Sequence, residues 1–357
     1  RMGLPDLLFI FPTRVRVHDR RTSMVTTYRL DWSDDKGLLP PLSGNPLFME
    51  ASVGVGTPAT AATLGFTPEE YMEAVRRVRQ YIHDGDVYQV NLSQRFRFPF
   101  PGDAFSLWQA LFEANPAPFY AWIDAGTFQV LSASMERFVL VDGDRIETRP
   151  IKGTRPRGKD DEEDRRLENE LRHSAKDDAE LSMIVDLERN DLGRICLPGS
   201  VRVAGHKRIE RYANVMHLVS EVEGRLRPGT GFAAIFRALF PGGSVTGCPK
   251  IRAMEIIDGL EPETRHVYTG AIGYVANDGR MDFNIAIRTA VAVDGICHLS
   301  VGGGVVYDSD PREEYLETLD KGRTFFELAG VRLDSNQRND ANQGMDSILR
   351  FDSNERD

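Results

Sequence analysis

A chain of 357 residues, 41% of them hydrophobic, can bury one large core or two modest ones, which excludes a protein disordered throughout. Its net charge of -10 argues against a nucleic-acid or anionic-membrane partner, because either calls for a broad basic face. Cys196, Cys248 and Cys297 are widely spaced with no CxxC pair, which argues against a disulfide framework or a zinc site and fits a reducing cytoplasm.

No window holds the roughly 20 apolar residues that a membrane helix needs. Residue 1 is Arg, as in a truncated or processed chain, so a removed targeting segment stays open. Residues 1–62 read as a partial N-terminal region, with a strand pair at 7–17 and 22–30 and a Pro- and Gly-rich passage over 37–57. A catalytic domain over 63–330 follows. Thr67 reads as a helix cap, Pro68 takes the first helical position and Glu70 completes a capping box. Tyr71, Val75, Val78 and Ile82 then recur at helical spacing until Gly85.

A strand is predicted over 87–98. Its period of two puts Tyr88, Val90 and Leu92 on a core face and Gln89, Asn91, Ser93 and Arg95 on a polar face, most simply a solvent-facing one. A short helix at 107–114 and strands at 119–124, 127–132 and 137–141 come next. The run from Thr148 to Gly158 sets Lys152 between Pro150 and Pro156 and between Gly153 and Arg149, and it reads as a shaped cationic loop, neither helix nor strand.

Helices are expected at 160–170, 174–189 and 231–239, and strands at 200–204 and 215–222. The Gly-rich loop from Phe240 to Lys250 feeds a helix stopped by Gly259. Strands at 269–276, 283–293 and 297–306 follow, the last interrupted by Gly302-Gly303-Gly304, and a helix at 312–328 closes the domain. Residues 331–357 are polar and read as a disordered tail. The alternation of strands and helices with short turns predicts an α+β (mixed α/β) enzyme with antiparallel sheets.

Several residues could carry chemistry. Lys152 can become a nucleophile where its charge is desolvated or crowded, which its arginine neighbours cannot; the same stretch also reads as a solvated basic turn. Asp177 and Glu180, and again Glu314 and Glu317, are acids three apart on predicted helices, so each pair shares a face. Facing each other they suit Mg²⁺; taken singly they also complement a helix dipole. Ser244, Thr246 and Lys250 at a helix N-terminus form a generic anion site, though not a nucleotide P-loop. Gly302, Gly303 and Gly304 allow close backbone approach, and Arg288 can clamp a carboxylate. His217, in an apolar run, reads as a packed core histidine or as a polar group in the site.

These stretches resemble the chorismate-utilising enzymes. The resemblance covers roughly residues 65–328. It rests on Pro150-Ile151-Lys152-Gly153-Thr154, on Glu180-x-x-Met183-x-Val185-Asp186-Leu187-x-Arg189-Asn190-Asp191, and on His217-Leu218-Val219-Ser220. It continues through Gly242-Gly243-Ser244-x-Thr246-Gly247-x-Pro249-Lys250, Ile287-Arg288-Thr289 and Gly302-Gly303-Gly304 to Glu314-Tyr315-x-Glu317-Thr318. Lys152 in the first motif is similar to the aminodeoxychorismate synthase component I branch, where anthranilate synthases carry Ala. Gln89 stands where water-using members place a general-base lysine. Met135 and Cys248 depart from the Pro and Ala usual at these positions.

The resemblance implies an anthranilate-synthase-like fold, with antiparallel sheets packed together and helices outside. It implies conversion of chorismate and ammonia to 4-amino-4-deoxychorismate, in para-aminobenzoate and folate biosynthesis, with a separate glutamine amidotransferase subunit supplying the ammonia. In this reading Mg²⁺, held by Glu180 and Glu317 and through waters by Asp177 and Glu314, binds the ring carboxylate. Arg288, Tyr274, Ser244 and the Gly302–Gly304 amides hold the enolpyruvyl carboxylate and ring. Lys152 attacks C2 as the C4 hydroxyl leaves, and ammonia then attacks C4 and expels the lysine. Glu136 moves the lysine proton and His217 orients the departing group. Anthranilate synthase component I and a non-catalytic family member are the alternatives.

Overall fold

The computed structural model describes residues 2–12, 14–19, 21–29, 60–212 and 214–332. The passage over 37–57 and nearly all of the polar tail lie outside the described residues. The chain divides into two compact units, residues 1–52 and 53–357. The first holds an antiparallel hairpin of β1 (Arg14–Asp19) and β2 (Met24–Arg29). Its turn is closed by the Asp19 carboxylate, which accepts the Arg21 amide at 2.9 Å.

The second unit opens with the short β3 (Thr60–Ala61) and β4 (Thr63–Leu64) and then α1 (Pro68–His83). The capping box forms as read: Thr67 Oγ1 accepts the Glu70 amide at 3.2 Å, and the Glu70 carboxylate accepts the Thr67 amide at 2.8 Å. The chain continues as β5 (Gln89–Pro99), α2 (Ala104–Ala114), β6 (Phe119–Asp124), β7 (Phe128–Ser134), β8 (Arg137–Asp142), β9 (Arg145–Arg149) and β10 (Ile151–Pro156). Helices α3 (Asp161–His173) and α4 (Ala175–Gly193) precede β11 (Arg202–Arg211), β12 (Val215–Arg225) and α5 (Phe232–Leu239). After a single 3-10 turn at Gly243–Val245 come β13 (Gly247–Cys248), α6 (Lys250–Leu260), β14 (Ala271–Val275), β15 (Met281–Ile285), β16 (Thr289–Val293), β17 (Ile296–Val305), α7 (Pro311–Leu328) and β18 (Val331–Arg332).

The strands build two seven-stranded antiparallel sheets. One runs β10-β12-β9-β8-β15-β14 with β11 beside β12, and the other runs β13-β5-β17-β16-β7-β6 with β4 beside β5. Each sheet has its own apolar core. Helices α1, α2, α6 and α7 cover the second sheet through Tyr71, Leu107, Ile256 and Phe326, and α4 and α5 cover the first through Leu181, Val185 and Leu239. Each fully buried Leu, Ile or Phe contributes roughly 1.5–3 kcal/mol.

The chain passes between the sheets by two short links, Met135–Glu136 between β7 and β8 and Ala286–Arg288 between β15 and β16, and by longer connections on either side of β13. The short links are tied to each other: the Ala133 amide donates to the Arg288 carbonyl at 3.0 Å, Ile285 N to the Glu136 carbonyl at 3.0 Å, and Ser134 Oγ to the Ile285 carbonyl at 2.7 Å. Two chemistry-bearing side chains therefore sit where the sheets exchange chain.

Four expectations are corrected. The stretch around Lys152 is strand, with β9 and β10 both paired to β12, and Pro150 lies between them where its missing N–H breaks no ladder bond. The shaping predicted there survives as a bulge between Lys152 and Thr154, with Gly153 at φ 68°. The single strand expected over 283–293 is two strands in different sheets, because a run apolar on both faces hides its break from any periodicity. Gly302–Gly304 does not interrupt β17, which pairs with β5 from Ile296 to Val305, and α6 runs through Gly259 to Leu260.

Candidate active site

The polar face of β5 is not solvent-facing. Gln89, Asn91, Ser93 and Arg95 are all under 10% exposed, and β17 lies alongside with its glycines opposite: Gly304 faces Asn91, and Gly303 faces Leu92. A Cβ on Gly304 would stand 2.1 Å from Gln89 Nε2 and 3.4 Å from Lys152 Nζ. An added Cβ would displace the Gln89 side-chain amide, while it would stand at ordinary contact distance from the amine. A Cβ on Gly303 would stand 2.9 Å from Glu314 Oε2 and 3.3 Å from Glu317 Oε1. One bare stretch of β17 thus borders both the lysine and the acids of α7.

Glu136 is buried at the crossing, where the Ile151 amide donates to its Oε1 at 3.4 Å. Burial raises its pKa, while the nearby Ser244 hydroxyl, Lys152 ammonium and Ile151 amide act the other way. A carboxyl held up by burial beside an ammonium is suited to take that proton.

His217 on β12 faces Thr154 on β10, and the Thr154 hydroxyl lies 2.9 Å from Nδ1. Its Nε2 has no hydrogen-bond partner among the described residues. Burial first, and then the Arg288 charge, push its pKa down to about 4, so the ring is neutral. A depressed histidine stabilises the fold above its unfolded value of 6.5, and that stability is lost as pH falls through about 4. The full effect is about 3 kcal/mol. His298, also pushed down to about 4 by burial and then by Arg95 and Arg97, acts in the same window. Denaturant unfolding of His217→Gln is accordingly expected to show a flatter decline between pH 6.5 and 4 than the parent, with a residual slope from His298.

Three acids meet across α4 and α7. Glu314 is buried, its Oε1 accepts the Ser309 hydroxyl at 2.6 Å, and its Oε2 has no hydrogen-bond partner among the described residues. Burial and the neighbouring Glu317 push Glu314 up to about 7. Glu317 opens to the cleft, with 46% of its side chain exposed, and pairs with Lys321, whose amine also donates to the Gly302 carbonyl at 2.8 Å. Burial raises the Glu180 pKa, with Lys152 and Lys176 opposing and Asp177 and Glu317 adding to it. Asp177 is turned toward the Lys152 bulge: Arg155 donates to it at 3.3 Å, and a Cβ on Gly153 would lie 3.0 Å from its carboxyl carbon. Among the described residues no three His, Cys, Asp or Glu side chains close into a metal-binding group. The acids are instead offset by Lys176 and Lys321.

Lys152 is within electrostatic reach of Glu136, Glu180 and Glu317, Ser244 lies beside Glu136, Arg288 neighbours His217 and Glu317, and Gly303 and Gly304 border Glu314, Glu317 and Lys152. Three anticipated substrate ligands are engaged or oriented elsewhere. Lys250 Nζ donates to Asp191 at 2.5 Å and to the Leu239 carbonyl at 2.8 Å, and Thr246 Oγ1 donates to the Gly242 carbonyl at 2.9 Å. Tyr274, on the edge strand β14, is 62% exposed. The tyrosine that neighbours Arg288 is Tyr268, buried at 6% exposure and beside Asn91 and Arg265. Nothing in the sequence spacing distinguishes it from Tyr274.

A lysine and a buried acid thus stand beside a group of carboxylates near the links between two antiparallel sheets. The chain matches the chorismate binding enzyme family over residues 2–327 and belongs to it. It is 50% identical over 272 residues to anthranilate synthase component 1 1 of Haloarcula marismortui, covering 75% of this chain and 56% of that protein. It is 49% identical over 255 residues to aminodeoxychorismate synthase component 1 of Escherichia coli (strain K12), covering 71% and 56%. The chain thus spans a little over half the length of either relative. Among solved structures, anthranilate synthase component I from Streptococcus pneumoniae TIGR4 superposes with a TM-score of 0.76 at 33% identity, covering 87% of this chain and 71% of that one. The two enzyme names occur at nearly equal identity. No helix among the described residues is long and apolar enough to cross a membrane.

Proposed function

We propose that the chain aminates chorismate at C4 to give 4-amino-4-deoxychorismate, with Lys152 as nucleophile and ammonia delivered by a separate glutamine amidotransferase subunit. The observation that carries the reading is Lys152 itself, its amine against Gly304 and within the electrostatic reach of both Glu136 and Glu180. Lys152 gives a proton to Glu136 and attacks ring C2 while the C4 hydroxyl departs. Ammonia then attacks C4 and expels the lysine. Neutral His217, with Nε2 free, orients the departing hydroxyl. Arg288, Tyr268 and Ser244 hold the enolpyruvyl carboxylate, and the glycine amides of β17 support the ring.

The donor set fits Mg²⁺: hard carboxylate oxygens, one of them the unpartnered, buried Oε2 of Glu314. Glu180 and Glu317, with Asp177 and Glu314, would hold the ion, and when bound it supplies charge neutralisation for the ring carboxylate. Product mass after incubation with chorismate, Mg²⁺ and ammonium tests the reading. Aminodeoxychorismate without pyruvate is expected. Relatives named anthranilate synthase are as similar to this chain, and pyruvate release with anthranilate would favour that second reading and count against the first.

Gly304→Ala is expected to fold but to lower kcat, since its Cβ pushes aside the Gln89 amide that lies next to the Lys152 amine, and misplacing a group beside the reacting atoms costs roughly ten- to a hundredfold. Steady-state rates beside a thermal melt check this; an unchanged kcat would show that the amine does not depend on where the Gln89 amide lies.

A further inference from the structure

Beside the cleft lies a buried carboxyl that the steps above leave unused. Glu188 on α4 is 8% exposed and lines a small pocket of about 10 Å³ together with Phe138, Thr148, Asp191, Gly242 and Gly243. Its Oε2 and the Thr148 hydroxyl both lack a hydrogen-bond partner, although the hydroxyl lies close enough to favour the ionised carboxylate.

The pocket and the cleft share one loop. Gly242 and Gly243 border the pocket, and the next residue, Ser244, stands beside Glu136. A Cβ on Gly243 would lie 2.6 Å from the Leu187 side chain, so α4 is packed tightly against that loop and Glu188 is held in place. A pocket of this size, into which Glu188 and Thr148 bring polar atoms, has room for roughly one bridging water.

The groups facing Glu188 do not neutralise it. Lys250 is bound to Asp191 at 2.5 Å and to the Leu239 carbonyl, and Asp191 and Glu136 are both acids. Burial first, and then Glu136 and Asp191, push Glu188 up to about 8, against Thr148 and Lys250. Two buried carboxyls within electrostatic reach of each other do not both ionise readily.

We propose that Glu188 is the proton-handling partner of Glu136: the pair shares one proton, Glu188 keeps it so that Glu136 is free to accept from Lys152, and Glu188 then releases its own through the pocket. The inference rests on the roles given above to Lys152 and Glu136. In the step an N–H bond of the Lys152 ammonium breaks and an O–H bond forms on Glu136. Both carboxyls are then neutral. The Glu188 O–H bond breaks as its proton passes to water, which leaves one proton on the pair as before, and no electron changes hands. Glu188 touches no substrate and acts only through Glu136.

The test follows turnover of chorismate with Mg²⁺ at constant free ammonia across pH, in the parent, Glu188→Gln, Glu188→Asp and Thr148→Val proteins. Glu188→Gln is expected to lower kcat roughly tenfold or more at unchanged KM for chorismate, within the range of general acid–base effects. It should also abolish the limb near pH 8, which Glu188→Asp retains. Thr148→Val should move that limb to higher pH, because the hydroxyl favours the ion. If Glu188→Gln does not fold, the Asp and Val variants carry the kinetic arm. An infrared titration of the buried carboxyl in Glu136→Gln is expected to place Glu188 lower than in the parent. This arm needs no turnover, so it still reads if the parent fails to consume chorismate, a result that would sink the proposed function alone. A folded Glu188→Gln with parental kcat and pH profile, or a Glu188 titration indifferent to Glu136→Gln, overturns the inference.

Discussion

Lys152→Ala is expected to lower aminodeoxychorismate formation on the order of a thousandfold, the scale on which removing a nucleophile and its proton transfer acts. The amine has two tasks that no neighbour can share. It must lie against the bare backbone of Gly304, and it must give its proton to a carboxyl that burial has made receptive. Lys152→Arg should not rescue, since a guanidinium keeps its proton and its planar fork is too wide for the space against β17. Lys176 and Lys321 lie near the acids, but Lys321 is bound to Glu317 and the Gly302 carbonyl. Initial rates with saturating ammonium, beside chorismate binding followed separately, check this. A variant with intact binding and unchanged rates would remove Lys152 from the chemistry.

Glu317→Gln is expected to weaken apparent Mg²⁺ affinity by more than the 10–100-fold typical of losing an outer-shell partner, and turnover with it. Burial works against ionising Glu317, but Lys321, Lys176 and Lys152 hold its pKa below the ordinary value, so it is the acid of α7 that carries charge. Glu314, at about 7, must lose its proton to bind a cation well. Mg²⁺ affinity in the parent should therefore rise with pH up to about 7 and level off above it, and Glu314→Gln should flatten that rise. Magnesium titrations at several pH values give both results. An unchanged half-saturation in Glu317→Gln would place the ion elsewhere.

Much of this site was legible because its chemistry is written in local words. A lysine hemmed by Pro150, Gly153 and Pro156 and acids three apart at Glu314 and Glu317 stand out as groups in the sequence, and the capping box of Thr67 and Glu70 set a helix start. What failed was everything decided by partners distant in sequence. The polar face of β5 looked solvent-facing because alternation shows only that the two faces differ, not which wall covers each. The break at Ala286–Arg288 was invisible because both β15 and β16 are buried, and only pairing with different sheets separates them. Lys250 looked free because Asp191, which binds it, is 59 residues away. Tyr274 and Tyr268 differ in burial, which spacing does not report. Glu188 fell between motif positions, and only the loop it packs against gives it a neighbour to act on.

The central claim is a bond between Lys152 and the substrate ring. Incubating the protein with chorismate and Mg²⁺ in the absence of ammonia, then measuring intact mass and mapping peptides, tests it most directly. The expected result is a gain equal to chorismate less one water, carried by the peptide holding Lys152 and discharged when ammonium is added. Unmodified protein that nonetheless aminates chorismate at full rate would contradict it.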